Sequence, residues 1–197
     1  AKTWGLVRAA TTQAAGGWSL FSVAVNQQGW PCEGLAFLGH RIHPSLRTAG
    51  GLRFDNRGWH TVNRGLMLPP FSLAGAVELL QDYGFRCDPT TYQPWQPWRF
   101  ILDHPEIPIW VEESALKALA ACSIGQVAVG VNGINGWGQK GRSDRLHPFF
   151  KRLARNGRRT VVRFDRPESE KSQSAIQARK LALRLEREGF KCGGWWT

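Results

Sequence analysis

Two carboxylates, Glu113 and Asp165, stand where this chain's chemistry would be placed. A short apolar run of strand character, Ile107-Pro108-Ile109-Trp110-Val111, ends in Glu112 and Glu113, and Ser114 then opens a helix rich in alanine and leucine. A second run, Thr160 to Phe164, ends in Asp165. Open α/β sheets bind ligands at the carboxyl ends of their strands, just before the following helices. If the two strands are neighbours, Glu113 and Asp165 share one sheet edge and together could hold a hard divalent cation. Mg²⁺ takes one or two protein carboxylates and keeps its remaining waters for substrate phosphates.

Charge points to the substrate class. The chain carries 26 Lys and Arg against 15 Asp and Glu, a net charge of +11. From residue 105 onward 17 basic residues face 9 acidic ones, and residues 139–163 hold nine basic residues and a lone acid, Asp144. Such an excess suits a polyanion, DNA or RNA. The expected contacts are Lys140, Arg142, Arg145, Lys151, Arg152 and Arg155, with Asn132, Asn135 and Trp137 on a glycine-rich loop. Lys151, Arg152 and Arg155 recur at near-helical spacing, so one face could follow a phosphate backbone. A solvated basic face with no partner, or one that meets an acidic protein, has the same composition.

The elements that must position these residues follow from periodicity. From residue 100 on, strands and helices alternate. Strand 107–111 precedes helix 114–122, and strand 126–131 runs into the loop NGINGWGQKGR. Helix 146–155 precedes strand 159–164, and helix 172–188 precedes a terminal strand, 190–192. Alternation of this kind predicts an α/β unit with a mostly parallel sheet flanked by helices. Residues 1–99 read as a separate α+β region. Trp18–Val25 is a strand followed by the turn Asn26-Gln27-Gln28-Gly29, and 51–68 is a hairpin. Ser72 caps a helix over 73–83, and Phe85-Arg86-Cys87 starts a strand. Residues 88–98, DPTTYQPWQPW, read as a linker because Pro94 and Pro97 oppose regular structure. The segments AVELLQDYGFRCD and LALRLEREGFKCG share a helix, glycine stop and Phe-basic-Cys order.

Other classes are disfavoured. No run of about 18 apolar residues is present, so no membrane span is expected. The first residues, AKTWGLVRAATTQ, lack the pattern of a signal peptide. Cys32, Cys87, Cys122 and Cys192 form no CxxC pair, so reduced thiols in a cytoplasmic protein are expected. Cys32, His40 and His43 give only a loose metal-ligand spacing.

The segment IPIWVEESALKALAACSIGQVAVGVNGINGW, followed by RRTVVRFD, resembles the Toprim-like domain of unknown function 3854 over roughly residues 100–197. That domain occurs in replication or primase-type proteins of plasmids and phages, notably cyanobacterial ones. In those relatives the first strand ends in Glu-Gly before a Lys- and Ala-rich helix, and a later strand ends in Asp-x-Asp. The resemblance implies that Glu113 is the general acid/base of catalytic members and that Asp165 is the first metal-binding aspartate. Ser114 stands where glycine is usual. Pro167 takes the place of the second aspartate, leaving Asp165-Arg166-Pro167. Glu168, one residue late, is the substitute metal ligand, although proline alters the local backbone path and Arg166 opposes a cation.

The resemblance therefore implies a nucleic-acid-binding, Toprim-like protein with a degenerate catalytic motif, working with a replication or recombination partner. The alternatives are an active Mg²⁺-dependent nuclease or primase-type enzyme using Glu113 and Asp165, and a non-catalytic protein-interaction subunit.

Overall fold

A computed structural model of the chain describes residues 19–41, 54–55, 65–139, 142–154, 157–165 and 172–193. The described chain opens with β1 (Ser19–Val25) and β2 (Pro31–Arg41), an antiparallel pair to which β3 (Phe54–Asp55) adds along β2. The expected turn joins β1 to β2. The Asn26 side-chain oxygen accepts from the backbone amides of Gln28 and Trp30, and Gly29 donates to the Asn26 carbonyl. β2 runs for 11 residues, a length its mixed composition does not signal. The partner proposed for Phe54 in the 51–68 hairpin lies outside the described residues.

The main sheet has the order β10-β9-β5-β6-β4. Its strands are β4 (Leu66–Met67), β5 (Ile109–Glu112), β6 (Ala128–Val131), β9 (Arg159–Arg163) and β10 (Lys191–Cys192). The run β10-β9-β5-β6 is parallel, and β4 closes the β6 side antiparallel. The chain is thus α/β, with a mixed sheet flanked by helices. β6 is buried along its whole length, as parallel strands covered on both faces are.

The helices are α1 (Leu73–Leu80), α2 (Gln96–Asp103), α3 (Ala115–Ser123), α4 (Pro148–Leu153) and α5 (Gln173–Arg187). Three begin at a serine whose hydroxyl accepts an otherwise orphaned backbone amide. Ser72 takes Gly75, Ser114 takes Lys117 and Ser172 takes Ala175, each contact worth about 1 kcal/mol. Two details depart from expectation. Proline at the start of a helix costs no hydrogen bond, because the first-turn amides have no partner within the helix. Pro97 therefore sits in the first turn of α2, and the segment read as a linker is partly helical. Pro148 likewise opens α4, which is shorter than the periodicity suggested. Leu146 belongs instead to β8 (Arg142–Leu146), paired with β7 (Gly138–Gln139) inside the expected loop.

The two similar segments also diverge. Lys191 and Cys192 form a strand because β9 lies alongside them. Residues 85–87 form no strand, having none to pair with, although Phe85 is buried as Phe190 is. The core runs continuously from Val23 through Leu66, Phe71 and Trp98 to the parallel strands and α5. The expected boundary at residue 99 falls inside α2. No helix among the described residues is long and apolar enough to cross a membrane.

Candidate functional site: a lysine-bridged carboxylate pair

β5 and β9 are neighbours, with Glu112 opposite Arg163. The chain therefore leaves both strands at the same edge, and Glu113 and Asp165 meet there. Consecutive residues at a strand end point to opposite sides, and the two glutamates follow that rule. Glu112 is 1 % exposed and pairs with Arg163, whose Nε donates to Oε1 at 2.7 Å. Burial raises the Glu112 pKa, and Arg163 offsets part of that rise.

Glu113 faces the site. Its Oε1 accepts from Lys117 Nζ at 2.7 Å, and its Oε2 accepts from the backbone amide of Asp165 at 3.0 Å. Lys117 Nζ also donates to Asp165 Oδ1. One ammonium thus ties the two carboxylates together. Burial alone would lower the Lys117 pKa, but its bonds to Asp165 and Glu113 outweigh this and hold it above the ordinary lysine value. The same bond to Lys117, then the contact with Glu113, holds Asp165 below the usual carboxylate range. Lys117 is accordingly a fixed cation, not a base or an amine nucleophile, near neutral pH. Asp165 is 70 % exposed, so its pair with Lys117 contributes no more than about 1 kcal/mol to stability.

Backbone contacts hold the cluster in place. Ser174, in the first turn of α5, donates to the Asp165 carbonyl, and Gly133, in the glycine-rich loop, donates to the Glu113 carbonyl. A close approach sets the start of α3. A Cβ at Gly130 would lie 2.9 Å from both the Ala115 Cα and the Ser114 carbonyl oxygen. Only glycine on β6 lets α3 begin this near the sheet and aim Lys117 at Asp165. Lys117 is the site residue the sequence reading missed. Its signal was its spacing, four residues after Glu113, where a helix brings opposite charges together.

Two carboxylates suit Mg²⁺ in type and number. The donor set as arranged does not fit the ion, because Lys117 occupies an oxygen of each carboxylate and an ion between them would face an ammonium. Among the described residues no three His, Cys, Asp or Glu side chains gather as metal ligands. Glu168, with Arg166 and Pro167, lies outside the described residues, as do His43, Lys140 and Arg155.

The expected nucleic-acid residues are split between places. Asn132 and Asn135 lie on the loop beside Glu113, half-buried and exposed respectively. Trp137 turns inward, 6 % exposed, and its indole nitrogen has no hydrogen-bond partner among the described residues. Arg142 opens β8, and Arg145 on the same strand is exposed. Lys151 lies at the opposite end of the sheet, where its Nζ is 3.9 Å from Glu188 at the end of α5. Arg152 reaches the β1–β2 turn, donating from Nε to the Gln28 carbonyl at 3.0 Å. Cys32, Cys87, Cys122 and Cys192 are all free thiols. Burial pushes Cys122 and Cys192 up to about 12, which leaves both unreactive at neutral pH.

The chain is 34% identical over 105 residues to an uncharacterized protein of Picosynechococcus sp., an alignment that covers 48% of this chain and 10% of the relative. The chain thus spans about a tenth of that relative's length. No solved structure matches the chain. Residues 97–194, which hold the whole Glu113–Lys117–Asp165 cluster and the parallel strands, match the family described as Domain of unknown function (DUF3854).

Proposed function

We propose that residues 97–194 form a Toprim-like, nucleic-acid-binding domain with a degenerate catalytic motif, working in plasmid, phage or mobile-element replication or recombination. The observation that carries this reading is Lys117, hydrogen-bonded to both carboxylates of the strand-end pair. It cancels one of two negative charges at the edge where a divalent ion would be held. The chain's charge of +11 is then left to attract a polyanion with less local repulsion. The replaced aspartate at Pro167 points the same way.

Binding to single-stranded DNA or RNA is expected to fall steeply with salt, because each neutralised phosphate releases counterions. Four phosphate contacts on a single strand correspond to a loss of about fifty-fold in affinity between roughly 50 and 200 mM salt. Fluorescence anisotropy with labelled oligonucleotides measures this. No binding to any nucleic acid at low salt would sink the reading and favour a protein-interaction subunit.

The adjacency of Glu113 and Asp165 on β5 and β9 favours a second reading, Mg²⁺-dependent phosphoryl transfer. Thermal melts with and without Mg²⁺ or Mn²⁺ separate the two. Under the first reading the native chain is unmoved by either ion, whereas Lys117→Gln, with its carboxylates released, gains about 1 kcal/mol or more at several-fold Kd. A native chain stabilised by Mg²⁺ and no longer so in Asp165→Asn would support the second.

A further inference from the structure

We infer that the phosphodiester backbone of a single strand is held by an aromatic–arginine row, Trp95–Arg99–Trp30–Arg152, which no comparison assigns. The Arg99 guanidinium carbon lies 5.1 Å from the Trp30 ring centroid and 5.4 Å from that of Trp95. The Arg152 guanidinium carbon lies 4.2 Å from the Trp30 centroid. Rings and cations thus alternate along one row, built from the start of α2, the β1–β2 turn and the last turn of α4. Among the described residues each arginine is oriented by one hydrogen bond to a backbone carbonyl. Arg99 Nε donates to the Pro31 carbonyl at 2.9 Å, and Arg152 Nε donates to the Gln28 carbonyl at 3.0 Å. The Asn26 side chain fixes the turn that supplies the Gln28 carbonyl and leads into Pro31 at the start of β2.

Arg158 shows what an arginine used only for structure looks like in this fold. It is fully buried, and its Nε, Nη1 and Nη2 all donate to backbone carbonyls. Among the described residues Arg99 and Arg152 commit Nε alone, and neither has a carboxylate partner. Arg99 is exposed and Arg152 half-buried. Stacking on tryptophan holds each guanidinium plane while leaving the outer edge of its fork open, and that edge matches two oxygens of a phosphate. Two such forks on one ring suit successive phosphates of a flexible strand, with base edges left unread.

This inference rests on the nucleic-acid reading above, and one titration series tests the two separately. With a fluorescent oligothymidylate, the full chain carrying Arg99→Gln and Arg152→Gln is expected to bind at least ~10-fold more weakly near 0.1 M salt. Its slope of log affinity against log salt should be shallower by about 1.4, two single-strand phosphate contacts. A native chain that fails to bind overturns the parent reading. A native chain that binds, with variants equal in affinity and slope, overturns this site alone. Equal weakening toward polyglutamate of matched charge would overturn its assignment to a phosphodiester strand. If the double variant does not fold, phenylglyoxal modification of the native chain decides. Protection of Arg99 and Arg152 by the oligonucleotide supports the site, and equal modification with and without it overturns it.

Discussion

Arg158→Met is expected to destabilise the chain by about 3–5 kcal/mol, the largest loss among single substitutions of charged residues here. The guanidinium sits at the end of α2, where the last carbonyls of a helix have no intrahelical donor. Its Nη2 donates to Ile101 and Leu102, its Nη1 to His104 and Ile107, and its Nε to Leu153. One cation thus closes α2, steadies the approach to β5 and ties both to the end of α4. Burial pushes its pKa down to about 10, with the charge of Glu106 opposing, so the group stays protonated at neutral pH. Methionine would fill much of the volume and leave the Leu102, Ile107 and Leu153 carbonyls short of a donor, at about 1–3 kcal/mol for each left unsatisfied, while Ile101 and His104 keep the backbone amides of His104 and Ile107. A chain of this size should lose about 6–20 °C in Tm. Arg158→Lys should recover only part of this, because an ammonium lacks the planar fork. A melt of Arg158→Met within a degree or two of the native chain would refute the account.

The second large effect is expected at Trp98. Its side chain is fully buried, stacked on Phe71 at 5.4 Å between centroids and edge-on to Phe149 at 5.9 Å. Its indole nitrogen donates to the Pro69 carbonyl at 2.8 Å. Trp98→Ala removes a large apolar volume together with a buried hydrogen bond, and costs about 3–5 kcal/mol. Trp98 joins residues 69–71, α2 and α4, so the loss should appear in a single transition that includes the strands of the main sheet. Calorimetry checks this. Two separated transitions, with only the first moved, would mean that the chain before α2 folds as an independent unit.

Much of the site was legible before any coordinates. The apolar runs ending in Glu113 and Asp165 identify strand ends because short apolar strands there alternate with helical segments, the pattern of a parallel α/β sheet. Ser72, Ser114 and Ser172 mark helix starts because a serine hydroxyl at that position satisfies a backbone amide locally. These signals depend on residues within a turn or two of one another. Trp98 and Phe71 carry no such signal, and the partners of Arg158 lie far from it in the chain. Arg158 and Arg159 at a strand start read as structural candidates, but only the arrival of α2 above Arg158 provides the carbonyls that make its burial tolerable.

The sequence by itself determined the strand and helix character of β5, α3, β6, β9 and α5, the starts of the serine-capped helices and the excess of positive charge, because each is written in local spacing and composition. Tertiary structure alone decided three other matters. β5 and β9 lie side by side, so Glu113 and Asp165 meet. Gly130 lets α3 approach until Lys117 bridges the pair. Trp30, Trp95, Arg99 and Arg152, scattered over more than half the chain, form one row. Each depends on contacts between residues far apart in the chain, which local pattern does not encode, and each is where the proposed chemistry lies.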